Sequence, residues 1–510
     1  MNFIIIVSDT LRRDHLGLYG NDRIRTPYLD RFAERCIVFD RAYTGSFPTI
    51  PHRTDVMTGR YSFTYTDWAP LQRDITVLSQ ALGAAGYLTY MIVDTPHMIR
   101  DGFHFDRGFS GWQWIRGQEG DRYLTAPAEL EMPCSPEKLR ETTRTVSQYL
   151  RNTSLRQHEE DYFAPMTMRT AEHWLERNYK QQPFFLYVDT FDPHEPWDPP
   201  QYYTDMYDPG YEGEQVTYPI YGPATYLTEA ELKHMRALYA GEVTMVDRAV
   251  GRLLQKVEDL GLLDDTCVIF TTDHGFCHGE HELMGKSIIR EGFSAHVPMW
   301  EEIARIPLLV RVPACREGAS DPSARPATSP RSPLPLGEGG VRVRAPGLAQ
   351  GQRSEAIVQP ADITATIYDL AGVEPPASVQ GRSFLPIVRG KAKKLRDFAV
   401  SSGSIIHGPR ARRWSTLTTP EWSFHYAGSE LDQARPAVAA TVDSVARYEK
   451  AELGGSGEPM LFHLTDDPGE KRNLYPRRRA LAQKLLTQYV EFLRSLGTKE
   501  DYIASRHRLP

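Results

Sequence analysis

Residues 1–10 read MNFIIIVSDT, and within them Phe3 to Val7 form an unbroken apolar, largely β-branched run that ends at Asp9 and Thr10. A strand that is apolar at every position, not at every second one, has both faces covered, as in the middle of a parallel sheet. FFLYV at 184–188 and CVIFT at 267–271 repeat that pattern. A helical stretch stands just before the last of these. Thr228 and Glu231 have capping-box spacing, Met235, Leu238, Val246, Val250, Leu253 and Val257 follow at helical intervals, and Gly261 stands past the end. Strands alternating with helices predict an α/β fold: a mostly parallel sheet flanked by helices.

Outward from that frame, residues 1–395 read as one large α/β domain. Residues 314–355 interrupt it with a stretch rich in Pro, Gly, Ser and Arg and nearly without periodic apolar positions, the texture of a flexible surface insertion. Order resumes at Gln359-Pro360, where Ile363, Ile367 and Leu370 predict a helix ending at Gly372. From residue 396 to 510 the chain changes to short strands (RRWSTLTT, EWSFHYAG, MLFHL) and a last helix from Arg479 to Leu496, a small antiparallel α+β subdomain.

Across 510 residues, 41% are hydrophobic and 25% charged, an ordinary globular balance. A net charge of −7 argues against nucleic acid as the partner. No stretch approaches the ~20 apolar residues of a membrane span, and the N-terminus lacks a basic region and a cleavage site. Five scattered cysteines, Cys36, Cys134, Cys267, Cys277 and Cys315, form no framework, which predicts a cytoplasmic protein. A homo-oligomer stays open.

The chemistry gathers at strand ends. Asp9 directly follows the first buried strand, and Asp273-His274 directly follow the third. In open parallel sheets ligands bind beyond the carboxyl ends of the strands, so two acids and an imidazole converging there suit a divalent cation.

The segments SDTLRRDHLGLYG (8–20) and TPYLDRFAERCIVFDRAYTGSFPTIPHRTDVMTGR (26–60) resemble the opening of the sulfatase family of the alkaline-phosphatase superfamily. FFLYVDTFDPHEPWDPP, TTDHGFCHGEHELMGK, AGVEPPASVQGRSFLP and LTDDPGEKRNL continue the likeness in family order. The resemblance implies an alkaline-phosphatase-like fold and hydrolysis of a sulfate or phosphate ester of a small molecule or carbohydrate. It implies that Asp9, Asp273 and His274 ligate a metal, that Thr10 stands at a fourth, weaker ligand position, and that Thr49 holds the nucleophile position beside the ion. Arg53 would support the nucleophile oxygen, while His194 and Lys286 would contact the ester oxygens and the leaving group. His194, with an ordinary pKa near neutrality, would protonate the departing alkoxide.

Three departures from the family pattern sharpen this. Thr49 replaces the Cys or Ser that becomes formylglycine, and a sulfated threonine has no second hydroxyl with which to expel sulfate. That argues against formylglycine and for a phosphothreonine displaced in line by water. Thr10 replaces an acid, which disfavours Ca and, with His274, favours Zn or Mn among the candidate ions. The lysine expected after the Gly86-Tyr87-Leu88-Thr89 strand is missing, and His97 stands nearby, as a partial substitute or as a loop residue bonded to backbone. His281 reads as a support to the metal ligands, Cys277 as packing, and Trp197, Tyr202, Tyr203 and Tyr207 as packing more than as a sugar platform. His407, with Asp189 or Asp192 and His194, offers a second zinc site, though an ordinary surface histidine fits its sequence better. Three readings stay open: a metal-dependent hydrolase of sulfate or phosphate esters, a phosphodiesterase or phosphonate monoester hydrolase with a threonine nucleophile, and a non-catalytic binder of a sulfated or phosphorylated ligand.

Overall fold

The computed structural model describes residues 1–127, 129–290, 293–313, 351–406, 414–428 and 458–510. In the large sheet, β1 (Asn2–Ser8) lies between β6 (Phe184–Thr190) and the strand Thr266–Thr271 (β7), parallel to both, with Phe3 opposite Phe185 and Cys267. Outside β6 come β4 (Leu88–Val93) and β5 (Gly111–Trp114), also parallel. On the other side, β8 (Leu308–Arg311) runs antiparallel to β7 and to β2 (Ile37–Tyr43), and β9 (Gln352–Val358) runs parallel to β2. The sheet is therefore parallel through its centre and mixed at one edge.

The continuous apolar run of β1 has a direct explanation. Phe3, Ile5 and Val7 pack on one face with Phe185, Tyr187 and Ile269. Ile4 and Ile6 pack on the other with Leu186, Val268 and Phe270, beneath Met235, Leu238, Val246 and Val250 of a long helix. Each such side chain contributes about 1.5–3 kcal/mol by leaving water.

Three helices anchor the site's surroundings. Helix α1 (Pro27–Ala33) is capped from outside, its Tyr28 and Leu29 amides donating to Asp247 at 3.1 and 2.7 Å. Helix α2 (Thr49–Thr58) carries Thr49 at its start and Arg53 one turn on. Helix α3 (Glu229–Asp259) supplies Asp247 and starts on the expected capping box, with the Glu231 amide donating to Thr228 Oγ1 at 3.2 Å and the Thr228 amide donating to Glu231 Oε2 at 2.9 Å.

The insertion ends earlier than its composition suggests. Residues 352–355 belong to β9, paired with β2; the exposed polar first half of that strand hides it from a pattern reading. Residues 314–350 lie outside the described residues. Helix α4 (Pro360–Ala371) ends on Gly372, whose φ of 65° is the left-handed conformation a glycine cap supplies.

The C-terminal sheet contains β10 (Ala399–Gly403), β11 (Ser415–Thr418), β12 (Trp422–Tyr426) and β13 (Met460–His463), all antiparallel neighbours. Helix α5 (Arg479–Ser495) covers it through Leu485, Leu486, Tyr489 and Leu493. The sheet is not purely antiparallel. Ser46–Phe47 (β3), from the N-terminal part of the chain, joins its edge parallel to β10, with Ser46 opposite Ser402 and Phe47 opposite Gly403. No helix among the described residues is long and apolar enough to cross a membrane.

Candidate active site

Because β1, β6 and β7 run parallel, their carboxyl ends lie at one edge of the sheet, and Asp9, the Asp192–His194 turn and Asp273-His274 all emerge there. Asp9, Asp273 and His274 are fully buried, and one ligand atom from each lies within 4.8 Å of the others. Backbone bonds hold them in place. The Asp9 amide donates to the Thr190 carbonyl at 2.9 Å, and the Thr10 and His274 amides donate to Asp273 Oδ1 at 2.9 and 2.8 Å.

The donor set fits a divalent cation. His274 Nδ1 is 3.0 Å from the Gly275 carbonyl, so it carries the hydrogen and leaves the Nε2 lone pair 3.3 Å from Asp273 Oδ2. Asp9 Oδ2 is buried and lacks an aligned hydrogen bond, although Arg53 Nη1 is 3.0 Å away. Burial, then the neighbouring Asp273, pushes the Asp9 carboxyl well above its usual range. Asp273 is held low by His274 and Arg53 against its own burial. Burial takes the His274 imidazole down to about 3, in the neutral form a metal requires. Asp9, Asp273 and His274 would hold the ion, which when bound would lower the pKa of a nucleophilic hydroxyl and screen an anionic ester. Thr10, at φ 58°, gives its hydroxyl to Asp9 Oδ1 at 2.7 Å and receives Lys286 Nζ at 3.3 Å, so it supports Asp9 at the ligand position the sequence suggests for it.

Arg53 lies one turn along α2 from Thr49, with Nη1 3.2 Å from the Thr49 carbonyl and 2.8 Å from Asp273 Oδ2. The other side of its guanidinium forks onto Asp189, Nε to Oδ2 at 2.9 Å and Nη2 to Oδ1 at 2.8 Å. Asp189 also receives the Thr95 and Tyr187 hydroxyls at 2.6 and 2.8 Å. Asp192 receives Gln118 Nε2 and the Ala164 amide at 2.7 and 2.9 Å. Both aspartates are committed to protein donors, and His407 lies outside the described residues; among the described residues the one metal-ligand group is Asp9, Asp273 and His274. The second zinc site suggested by the sequence needs His407 and so lies partly outside the described residues.

Above the triad opens a cavity of about 740 Å³ whose wall includes Thr49, His97, Glu119, Arg140, His194, Lys286 and His296. Thr49 opens helix α2, so an anion bonded to its oxygen would sit at that helix's positive end. Lys286 Nζ is 3.2 Å from His274 Nε2, joining the cavity wall to the triad. On the cavity wall, burial, reinforced by the charge of Lys286, drives the pKa of His194 well below the ordinary histidine value. His97 neither bonds to backbone nor hangs free; its Nε2 pairs with Glu119 Oε2 at 2.9 Å.

Sequence reasoning missed Arg140, Glu119 and His296 on this wall. The first two lie in a stretch without periodic pattern, and His296 ends a two-stranded ribbon, Ser287–Arg290 with Phe293–His296. Gly403 leaves room for His296, since a Cβ there would stand 2.2 Å from its Nδ1. Elsewhere the bland readings hold. Cys277 is buried packing. Trp197 is fully buried, its Nε1 donating to the Pro193 carbonyl at 2.8 Å. Tyr202 reaches Glu159 at 2.6 Å, and Tyr207 reaches Thr244 at 2.5 Å, away from the cavity. His281, expected from the sequence to support the metal ligands, instead stacks on Trp300 at 4.1 Å and pairs with Glu302 at 3.2 Å.

The chain resembles known proteins over nearly its whole length. An arylsulfatase of Clostridium perfringens is 25% identical over 98% of this chain and 95% of its own length. A multifunctional alkaline phosphatase superfamily protein of Trinickia caryophylli is 26% identical over 93% of this chain and 91% of its own. The crystal structure of the phosphonate monoester hydrolase of Agrobacterium radiobacter shares the fold at a TM-score of 0.66 and 19% identity, covering 97% of this chain and 95% of that one. The family model described as Sulfatase matches residues 1–373. By that match the chain belongs to the sulfatase family, and it is a hydrolase acting on ester bonds.

Proposed function

We propose that the protein is a metal-dependent hydrolase of phosphodiesters or phosphonate monoesters that uses Thr49 as its nucleophile. The observation that carries this is Thr49 itself, a secondary alcohol at the start of α2, on the cavity wall and one turn from Arg53. The Thr49 oxygen bonds to phosphorus as its hydroxyl proton leaves. The ester oxygen departs and takes up a proton. Water then displaces the phosphothreonine in line, restoring the hydroxyl and releasing the acid. Lys286, on the cavity wall, balances the charge that builds on the transferring group, while Arg53 braces the Thr49 segment against Asp273.

A second reading, hydrolysis of sulfate esters, is favoured by the likeness to an arylsulfatase over nearly the whole chain. The choice is made by turnover of bis-p-nitrophenyl phosphate, p-nitrophenyl phenylphosphonate and p-nitrophenyl sulfate with added Mn or Zn. Faster cleavage of the phosphorus esters, abolished by Thr49→Ala, is the expected result. Faster cleavage of the sulfate would favour the second reading, and an unimpaired Thr49→Ala would remove Thr49 from the mechanism.

A further inference from the structure

His194 has a partner that the hydrolysis above does not use. Its Nδ1 stands 2.8 Å from the carbonyl oxygen of Glu195 and 3.2 Å from Glu195 Oε2. Carbonyl and carboxylate oxygens only accept hydrogen bonds, so Nδ1 carries the hydrogen. A neutral imidazole has one N–H, and Nε2 is then a bare lone pair. Stacking on Phe191, with ring centres 4.0 Å apart, fixes the plane of the ring on the cavity wall.

Glu195 is itself held rigidly. It is fully buried, and its Oε1 receives Arg140 Nη2 at 2.6 Å together with the Tyr221 hydroxyl. The Arg140 guanidinium lies between the rings of Tyr218 and Tyr221, 4.3 and 4.2 Å from their centres. Glu195 Oε2 has no aligned hydrogen bond and faces the His194 ring. A buried carboxylate with one oxygen tied to a guanidinium and the other aimed at an imidazole is placed to orient that imidazole and to balance its charge when it gains a proton.

We propose that Glu195, clamped by Arg140, is a positioning residue that fixes His194 as the Nδ1–H tautomer, so that His194 enters the reaction as a proton acceptor at Nε2. This rests on the ester hydrolysis read above. As the Thr49 oxygen bonds to phosphorus, its hydroxyl proton moves to His194 Nε2. The ester oxygen leaves from the opposite side of phosphorus and takes a proton from a water there, giving the alcohol; the hydroxide so formed displaces the Thr49 oxygen from phosphorus, and that oxygen takes its proton back from His194 Nε2. The groups facing His194 are Lys286 and Arg140, which oppose the imidazolium, and Glu119 and Glu195, which favour it.

The test combines a neutron crystal structure of the whole protein with kinetics on p-nitrophenyl phenylphosphonate. Deuterium on His194 Nδ1 and none on Nε2 is expected; deuterium on Nε2 overturns the proposal. Glu195→Gln should lower kcat by roughly ten- to a hundredfold with little change in KM, and move the acid limb of the pH–rate profile to lower pH. Arg140→Met, which leaves the carboxylate uncompensated, should move that limb to higher pH. A purely structural role would move both variants' profiles alike, or neither, and either result overturns the proposal. If Glu195→Gln fails to fold, the neutron structure decides alone. If the wild type cleaves no ester, the hydrolysis reading fails while the tautomer still tests Glu195.

Discussion

Arg53 forks onto Asp189 with Nε 2.9 Å from Oδ2 and Nη2 2.8 Å from Oδ1, in a site where neither side chain has any exposed surface. That fork turns the remaining nitrogen, Nη1, towards Asp273 and Asp9. One guanidinium thus ties helix α2 to the ends of three strands. Asp189→Ala should cost about 3–5 kcal/mol in stability, because it leaves a buried charge short of its partner. Arg53→Lys should lose at least about a hundredfold in turnover, since an ammonium cannot make the fork. Denaturant melts and aryl ester assays check both, and an unchanged melt for Asp189→Ala would show that the fork does not hold the site together.

Removing divalent metal with a chelator should lower Tm, and adding back Mn or Zn should restore it. An ion at a hundred times its Kd stabilises the folded state by about 2.7 kcal/mol. The response should vanish in Asp273→Asn, which weakens the anionic pair that gives His274 Nε2 a cation to share. A Tm indifferent to every metal in the wild type would rule out this triad as a metal centre.

Thr49→Ser should retain activity within about tenfold, because it keeps the hydroxyl, whereas Thr49→Ala should lose on the order of a thousandfold or more. Rapid quenching during turnover of a phosphorus ester, followed by peptide mass spectrometry, should find the phosphoryl adduct on Thr49. Burst kinetics with the adduct on another residue would move the nucleophile elsewhere.

Asp247 gives a pH dependence of stability distant from the site. Burial pushes its carboxyl up to about 7 although the Leu29 and Tyr28 amides oppose the shift. An unfolded aspartate titrates near ~3.9, so the folded state holds an extra proton between those values. The stability this contributes is complete below about pH 4 and is lost as pH rises through 7. Tm should therefore fall across that range, and Asp247→Asn should flatten the fall while weakening the cap on α1 by about 1 kcal/mol. An equally steep profile in the variant would assign the titration to another group.

The residues legible in the sequence are those whose position follows from chain continuity. Asp9 and Asp273-His274 stand at the ends of runs that could only be central strands, and Arg53 follows Thr49 at the four-residue interval of a helix. The residues that were not legible depend on how separate segments meet. Asp189 was visible at the end of an apolar strand, but its commitment to Arg53 required α2 to be laid beside that strand. Glu119, Arg140 and His296 reach the cavity from irregular segments or a short ribbon, where no periodicity says which way a side chain points. The lowered pKa of His194 was not legible either, because burial and Lys286 act on it only after folding.

The two-residue rung β3 has a consequence for how the protein is made. Ser46 and Phe47, just before Thr49, pair with Ser402 and Gly403. On the ribosome, then, the platform under Thr49 waits for a partner synthesised several hundred positions later, a contact of very long range. A truncated chain ending before β10 would contain Asp9, Thr49, Asp273 and His274, yet leave that platform without its neighbouring strand.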